Sequence, residues 1–426
     1  MPSYGLALSG GGLTGVIGGL CSANSVLTMF PSLATPDLAV STVSGGSIGF
    51  GIYANANEKL NYYDLDFTMP YTSAASDSKG SAEIWFGNVV NYLNWIPGTR
   101  RLSGSSPSPS PSSSSSSSVS DIQAGFWTNA IDLCFWEGYS VHDYDITGGS
   151  ASGPSWHANF ALIDKDVCPI KRDGDGNMKK AETGLVYASM DMQASELTTS
   201  TGAPLSIEHK TPLDVMSYSS SFWTASILES STEYFFLKST VPTGTLDSDT
   251  TVYLNDGGLV DTTGIVTLLQ KKVPRILAFY NNNEPLSTLN STFADLFGVE
   301  VSTDTMNSLE GASLAQVFNE SLFDGVIGNL TDGSVLRARL DNVQVQANSY
   351  LGVESYELEE LIIFSNEYSD DFVNAFEDAD IAKNLDANFP NSFPVSLPVL
   401  DTNVLCMFED FKVGKYKEEL AALFEQ

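Results

Sequence analysis

Three short segments of this 426-residue chain carry residues able to do chemistry together. Ser47 lies in Gly45-Gly46-Ser47-Ile48-Gly49, with a glycine two places to either side. That is the form of a nucleophile elbow, a sharp strand-to-helix turn that lifts a serine hydroxyl clear of a sheet. Gly10-Gly11-Gly12 offers adjacent backbone N–H groups, unhindered by side chains, that can hydrogen-bond a developing oxyanion. Asp256 precedes Gly257-Gly258, and a carboxylate held within hydrogen-bond reach can take a serine proton directly. Nucleophile, base and oxyanion donors together spell acyl transfer through a covalent serine ester. With 35 glycines a chance G-x-S-x-G is easy to find, and Asp-Gly is a common turn dipeptide, so the reading rests on the setting of all three segments.

That setting is supportive. Tyr4-Gly5-Leu6-Ala7-Leu8 reads as a strand running straight into the glycines, and Leu38-Ala39-Val40-Ser41-Thr42-Val43 as a short buried strand. Residues 48–56 read as the helix that follows, which puts Ser47 at a helix N-terminus, where the dipole favours an alkoxide. Thr251-Val252-Tyr253-Leu254 is β-branched and aromatic, a strand from whose end Asp256 projects, and α/β sheets carry their sites at such ends. Ile265 to Leu269 then reads as a helix and Ile276 to Tyr280 as a returning strand.

Two other chemistries use the same residues. Gly10-Gly11-Gly12-Leu13-Thr14-Gly15 also satisfies the G-x-G-x-x-G of a dinucleotide-binding oxidoreductase. That fingerprint needs an acid at the end of the second strand; this strand ends in Ser44-Gly45-Gly46-Ser47, and Asp37 precedes it. A serine–histidine triad would draw on His142, His157 or His209, all after Ser47, yet the HGGG-type oxyanion loop is missing and nothing nominates one of the three.

Ser9 to Gly15, Gly45 to Gly49 and Asp256-Gly257-Gly258, in that order and separation, resemble the patatin-like and cytosolic phospholipase A2-like lipid acyl hydrolases. The resemblance implies an α/β fold, a three-layer α/β/α sandwich with a mostly parallel central sheet. It implies Ser47 as nucleophile, Asp256 as base, and the amides of Gly10, Gly11 and Gly12 as oxyanion hole. It also implies a lipid acyl hydrolase of phospholipase A, galactolipase or lysophospholipase type, working on acyl esters with no cofactor and no metal. Ser217 to Trp223 is similar to the small-residue segment these proteins carry ahead of the aspartate strand. The similarity covers the first 60 residues and the stretch from about 212 to 280. Thr14 departs from it, standing where many relatives have a cation, which leaves galactolipids or neutral esters open as substrates. Asp261-Thr262-Thr263-Gly264 departs as well. A catalytically silent lipid-binding or storage protein on the same fold is the alternative in another class.

One catalytic domain, 1–426, is expected, because the dyad residues are far apart in sequence and must meet. Residues 60–160 read as an insertion forming an aromatic-rich cap, with Trp85, Trp95, Trp127, Trp136 and Trp156 beside Tyr62, Tyr63, Phe67 and Tyr71; ordinary core packing of these aromatics is the plainer alternative. Within it, 103–120 is serine and proline rich, cannot bury a core, and reads as a disordered loop.

The charge balance, 52 acidic against 20 basic residues for a net −32, excludes nucleic acid as a partner and gives no long-range attraction to an anionic bilayer. Contact with a membrane or lipid-droplet surface would be transient and would rest on apolar surface. Asp173-Gly174-Asp175-Gly176-Asn177 invites a calcium loop but fails the EF-hand pattern, having Met178 at its glycine position and Gly184 at its glutamate position. Cys21, Cys134, Cys168 and Cys406 are scattered, with neither metal-ligand spacing nor a disulfide framework, and suggest a reducing, cytoplasmic setting. The strand opening at Tyr4 leaves no room for a signal peptide. Asn290-Ser291-Thr292 and Asn329-Leu330-Thr331 fit the glycosylation pattern, fortuitously in that setting.

Overall fold

The computed structural model describes residues 2–55, 153–164, 170–172, 178–180, 185–192, 196–200, 204–205, 215–216, 219–220, 237–240, 251–281, 291–299, 314–367, 369–375 and 399–424. The proposed loop 103–120, the cap aromatics other than Trp156, His142, His209 and the Asp173 turn lie outside them.

The centre is a run of parallel strands whose sequences are apolar on both faces. In β1 (Tyr4–Leu8), β2 (Leu38–Val43) and β11 (Arg275–Tyr280) nearly every residue is buried, as a strand covered on both sides requires. Parallel pairing runs β13 (Tyr356–Ser365), β11, β1, β2, β3 (Ser155–Asp164). Antiparallel strands extend both margins of this eleven-stranded sheet: β12 (Arg337–Val345) beyond β13, and β6 (Leu185–Asp191), β7 (Glu196–Thr199) and β8 (Pro204–Leu205) beyond β3. A separate hairpin pairs β4 (Ile170–Arg172) with β5 (Met178–Lys180).

Strand alternation sends side chains to two hydrophobic layers. Leu6, Leu8, Leu277 and Phe279 face α1 (Gly12–Met29), α2 (Gly45–Asn55), α7 (Val399–Lys415) and α8 (Lys417–Phe424). Ala7, Ile276, Ala278 and Tyr280 face α3 (Ile265–Gln270), α4 (Ser291–Asp295) and α5 (Phe323–Leu330). The molecule is thus an α/β sandwich with a mostly parallel core. A short α6 (Asp370–Val373) is capped by Ser369, whose hydroxyl accepts the Phe372 N–H.

Trp156 belongs to β3, with its ring buried against Phe50 of α2, the core packing given above as the plainer alternative for these aromatics. Cys21 of α1 and Cys406 of α7 are joined in a disulfide, which scattered spacing did not suggest and which removes the cysteine argument for a reducing compartment. Among the described residues no helix is long and apolar enough to cross a membrane.

Candidate active site

The register of β3 explains why segments more than 200 residues apart in sequence meet. Its first half pairs with β2, ending with Asn159 opposite Val43; its second half pairs antiparallel with β10 (Thr251–Asp256), beginning with Phe160 opposite Asp256. β10, itself flanked by β9 (Leu237–Thr240), therefore arrives head-on at the end of β2. The residue leaving β2 is Ser44, and its Oγ donates to Asp256 Oδ2 at 2.7 Å. The other carboxylate oxygen accepts the Gly258 N–H at 2.7 Å, which fixes the carboxylate plane.

Ser44 has the backbone of an elbow residue. Its φ is +50°, left-handed and strained for a side chain with a Cβ, and its carbonyl already accepts the Ser47 N–H at 3.0 Å as α2 begins. The elbow is therefore Thr42-Val43-Ser44-Gly45-Gly46, centred three residues before the serine expected from sequence. A Cβ at Gly46 would lie 2.5 Å from the carbonyl oxygens of both Leu8 and Ser9, so only glycine fits there. Gly45 and Gly49, expected to flank the nucleophile, instead let α2 pack against the Gly12 and Val16 carbonyls of α1.

Ser47, the nucleophile expected from sequence, makes other contacts. Its hydroxyl is fully buried and lies 2.9 Å from Thr42 Oγ1 and 2.7 Å from Ser219 Oγ. Both ends of this relay fix its direction: Trp156 Nε1 can only donate, to Thr42 Oγ1 at 2.8 Å, and the Asn159 carbonyl can only accept, from Ser219 Oγ at 2.8 Å. Protons therefore run Trp156, Thr42, Ser47, Ser219, Asn159, and the Ser47 proton is committed to Ser219. Ser219 Oγ also accepts the Ser44 N–H at 3.1 Å, so the relay ends by holding the elbow's own amide.

The glycine loop lies on Ser44: a Cβ at Gly10 would come 2.9 Å from the Ser44 Cβ. The Gly10 N–H, expected among the oxyanion donors, donates to the Thr262 carbonyl at 2.8 Å. Gly11 and Gly12 open the 18-residue helix α1, where amides have no intrahelical acceptor, and no acidic residue occupies its first turn. Asp261, the residue before Thr262, is buried, accepts from Thr263 N, Thr263 Oγ1 and Val266 N, and burial raises its pKa above the ordinary carboxylate value.

His157 is no base for this serine. Burial, reinforced by the Lys271 charge and opposed by Asp191, pushes its pKa down to about 4, and its ring contacts are Ser155 Oγ at 3.2 Å and Asp191 at 3.7 Å. No group of three or more His, Cys, Asp or Glu side chains among the described residues is placed to hold a metal. Sequence reasoning missed Ser44, Thr42 and Asn159, and met Ser219 only as part of the small-residue segment 217–223. The signal for Ser44 was available: it is the residue immediately after the buried strand, and Gly45-Gly46 follow it.

No protein-family model matches the chain, and no curated protein matches it. Among solved structures, human GIVD cytosolic phospholipase A2 is similar with a TM-score of 0.57 at 10% identity, over 99% of this chain and 62% of that one. The same human protein in complex with methyl gamma-linolenyl fluorophosphonate gives a TM-score of 0.46 at 12% identity, over 99% of this chain and 58% of that one. The chain thus spans about three-fifths of the length of the solved phospholipase A2 whose fold it shares.

Proposed function

We propose that this chain is a serine hydrolase of lipid acyl esters working through a Ser44–Asp256 dyad. The observation that carries the reading is the 2.7 Å hydrogen bond from the strained Ser44 hydroxyl to a carboxylate locked by Gly258. Asp256 accepts the Ser44 proton as Oγ attacks the acyl carbonyl, and the Gly11 and Gly12 amides with the α1 dipole take the oxyanion. Collapse of the tetrahedral intermediate expels the alcohol, which takes the proton from Asp256. Water then gives its proton to Asp256 and attacks the acyl-enzyme, releasing the fatty acid and returning the proton to Ser44. No cofactor enters this scheme. The lipid nature of the substrate is supported by the shared fold with an enzyme named phospholipase A2. Contact with a lipid surface is then transient, at the mouth of the site.

The test is covalent labelling by a fluorophosphonate probe, with the modified residue located by fragmentation mass spectrometry. Labelling is expected on Ser44, is lost in Ser44→Ala, and slows by at least about 10³-fold in Asp256→Asn. Ser47→Ala retains it. Wild-type protein that resists the probe while binding lipid is a silent binding or storage protein, and labelling of Ser47 in Ser44→Ala at the wild-type rate removes Ser44 from the nucleophile role.

A further inference from the structure

We infer that Thr14, Asn281 and Asn366 form a subsite for an uncharged polyhydroxyl group, the alcohol portion of the ester; this rests on the hydrolase reading above. The three residues come together at the carboxyl ends of adjacent strands. β11 leads into Asn281 and β13 into Asn366, with Tyr280 paired to Ser365 just before them. The Asn281 N–H donates to Ser9 Oγ at 2.7 Å, which places it beside the glycine loop.

All three face the same layer. Tyr280 packs on Phe293 and Ser365 Oγ donates to the Leu330 carbonyl, both on the α4–α5 side, so alternation turns Asn281 and Asn366 toward α1. The contact is visible for Asn281, since a Cβ at Gly18 of α1 would meet its Cγ at 2.4 Å. Thr14 is one helical turn before Gly18 on that face.

Thr14 and Asn281 are 0% exposed and Asn366 6%. Among the described residues, Thr14 Oγ1, Asn281 Oδ1 and both Asn366 amide atoms have no hydrogen-bond partner. Asn281 Nδ2 is turned to Ser22 Oγ at 3.4 Å, which leaves Oδ1 facing away from it. Buried polar groups are almost always paired, because an unpaired one keeps its full desolvation cost, so four in one corner point to a polar group that enters from outside.

The chemistry of that group follows from the four atoms. Two carboxamide oxygens accept, one amide nitrogen donates, and the Thr14 hydroxyl does either, with no formal charge among them. The adjacent cation, Lys412, is buried and committed to Glu409 at 2.8 Å and to the Ser365 carbonyl at 3.0 Å. A set of this kind matches vicinal hydroxyls and leaves a phosphate uncompensated. Asn281 and Asn366 stand two and three strand positions from Ser44, roughly 10 and 14 Å at the usual spacing, the reach of a polyol attached to the scissile ester.

Binding of glucosylglycerol, which has no ester and needs no turnover, tests the subsite separately from catalysis. Calorimetry on the full wild-type chain and on Ser44→Ala is expected to show the same saturable binding, and glycerol 3-phosphate at least tenfold weaker binding. Thr14→Val, which deletes only an unpaired hydroxyl, is expected to leave the thermal midpoint unchanged or raised while weakening glucosylglycerol at least fivefold; Asn366→Leu is expected to weaken it at least tenfold. In wild type, monodecanoylglycerol is expected to be hydrolysed with at least tenfold higher kcat/KM than methyl decanoate. Absence of glucosylglycerol binding, equal binding by folded Thr14→Val, or equal turnover of the two esters overturns the inference. Loss of fluorophosphonate labelling at Ser44 overturns the hydrolase reading instead.

Discussion

Ser219→Ala is the most searching perturbation of the elbow. One buried atom, Ser219 Oγ, accepts from Ser44 N at 3.1 Å and from Ser47 Oγ at 2.7 Å, and donates to the Asn159 carbonyl at 2.8 Å. Removing it breaks three hydrogen bonds worth about 1 kcal/mol each net, and strands two buried donors, so the expected loss of stability is about 3–5 kcal/mol. The kinetic cost comes from freeing the Ser44 amide, because a nucleophile displaced by about 1 Å can lose 10²-fold in rate. Ser219 touches no reacting atom, so its effect is one of position: kcat is expected to fall about 10–100-fold with KM nearly unchanged. Urea unfolding gives the first quantity, and the maximal rate of fluorophosphonate labelling at saturating probe gives the second. A variant that unfolds like wild type and labels at the wild-type rate would show that the relay does not hold the elbow.

Two further outcomes follow from the same geometry. The folded-state pKa of His157, about 4, lies below its ordinary value of 6.5, so the folded protein binds fewer protons between those limits. Stability conferred by the neutral ring is complete above about pH 6.5 and is lost on acidification, by about 2.5 kcal/mol at pH 4.5; His157→Gln should flatten that slope in urea titrations at pH 7.5 and 4.5, and an unchanged slope refutes it. Gly46→Ala places a methyl 2.5 Å from two backbone carbonyl oxygens that cannot rotate away, so a loss of about 3 kcal/mol or more is expected, read as a lowered thermal midpoint; an unchanged midpoint contradicts the packing described.

The parts legible in sequence were those written in local pattern. The apolar run Leu38–Val43 and the β-branched and aromatic run Thr251–Leu254 announced their strands, and the glycines at 10–12 and 257–258 marked close backbone approach. Asp256 was nominated by its place at a strand end before two glycines, and the family resemblance then implied a serine–aspartate pair. G-x-S-x-G is a spacing rule and points to Ser47, whereas the strand end points to Ser44: α2 starts at Gly45, which leaves Ser44 as the residue between strand and helix. The partner of the Gly10 amide, Thr262, is known only once α3 is folded over the loop. The relay through Thr42, Ser47 and Ser219 is long-range, joining β2, α2, β3 and a segment near residue 219, and no periodicity reports such contacts. The Cys21–Cys406 bond was hidden for the same reason, its partners being neighbours only across the α1–α7 contact.

β1 has a consequence for biosynthesis. It sits between β2, made shortly after it, and β11, made after the residue that holds Ser44 in place. While the ribosome works through the intervening chain, one side of this apolar strand has its peptide groups unsatisfied and open to any passing strand. The aromatic contact of Tyr4 with Phe424 of α8, 5.7 Å between ring centroids, closes over it later still. Nascent chains stalled between these points should therefore be avid ligands for holdase chaperones, and release from them should track the emergence of β11.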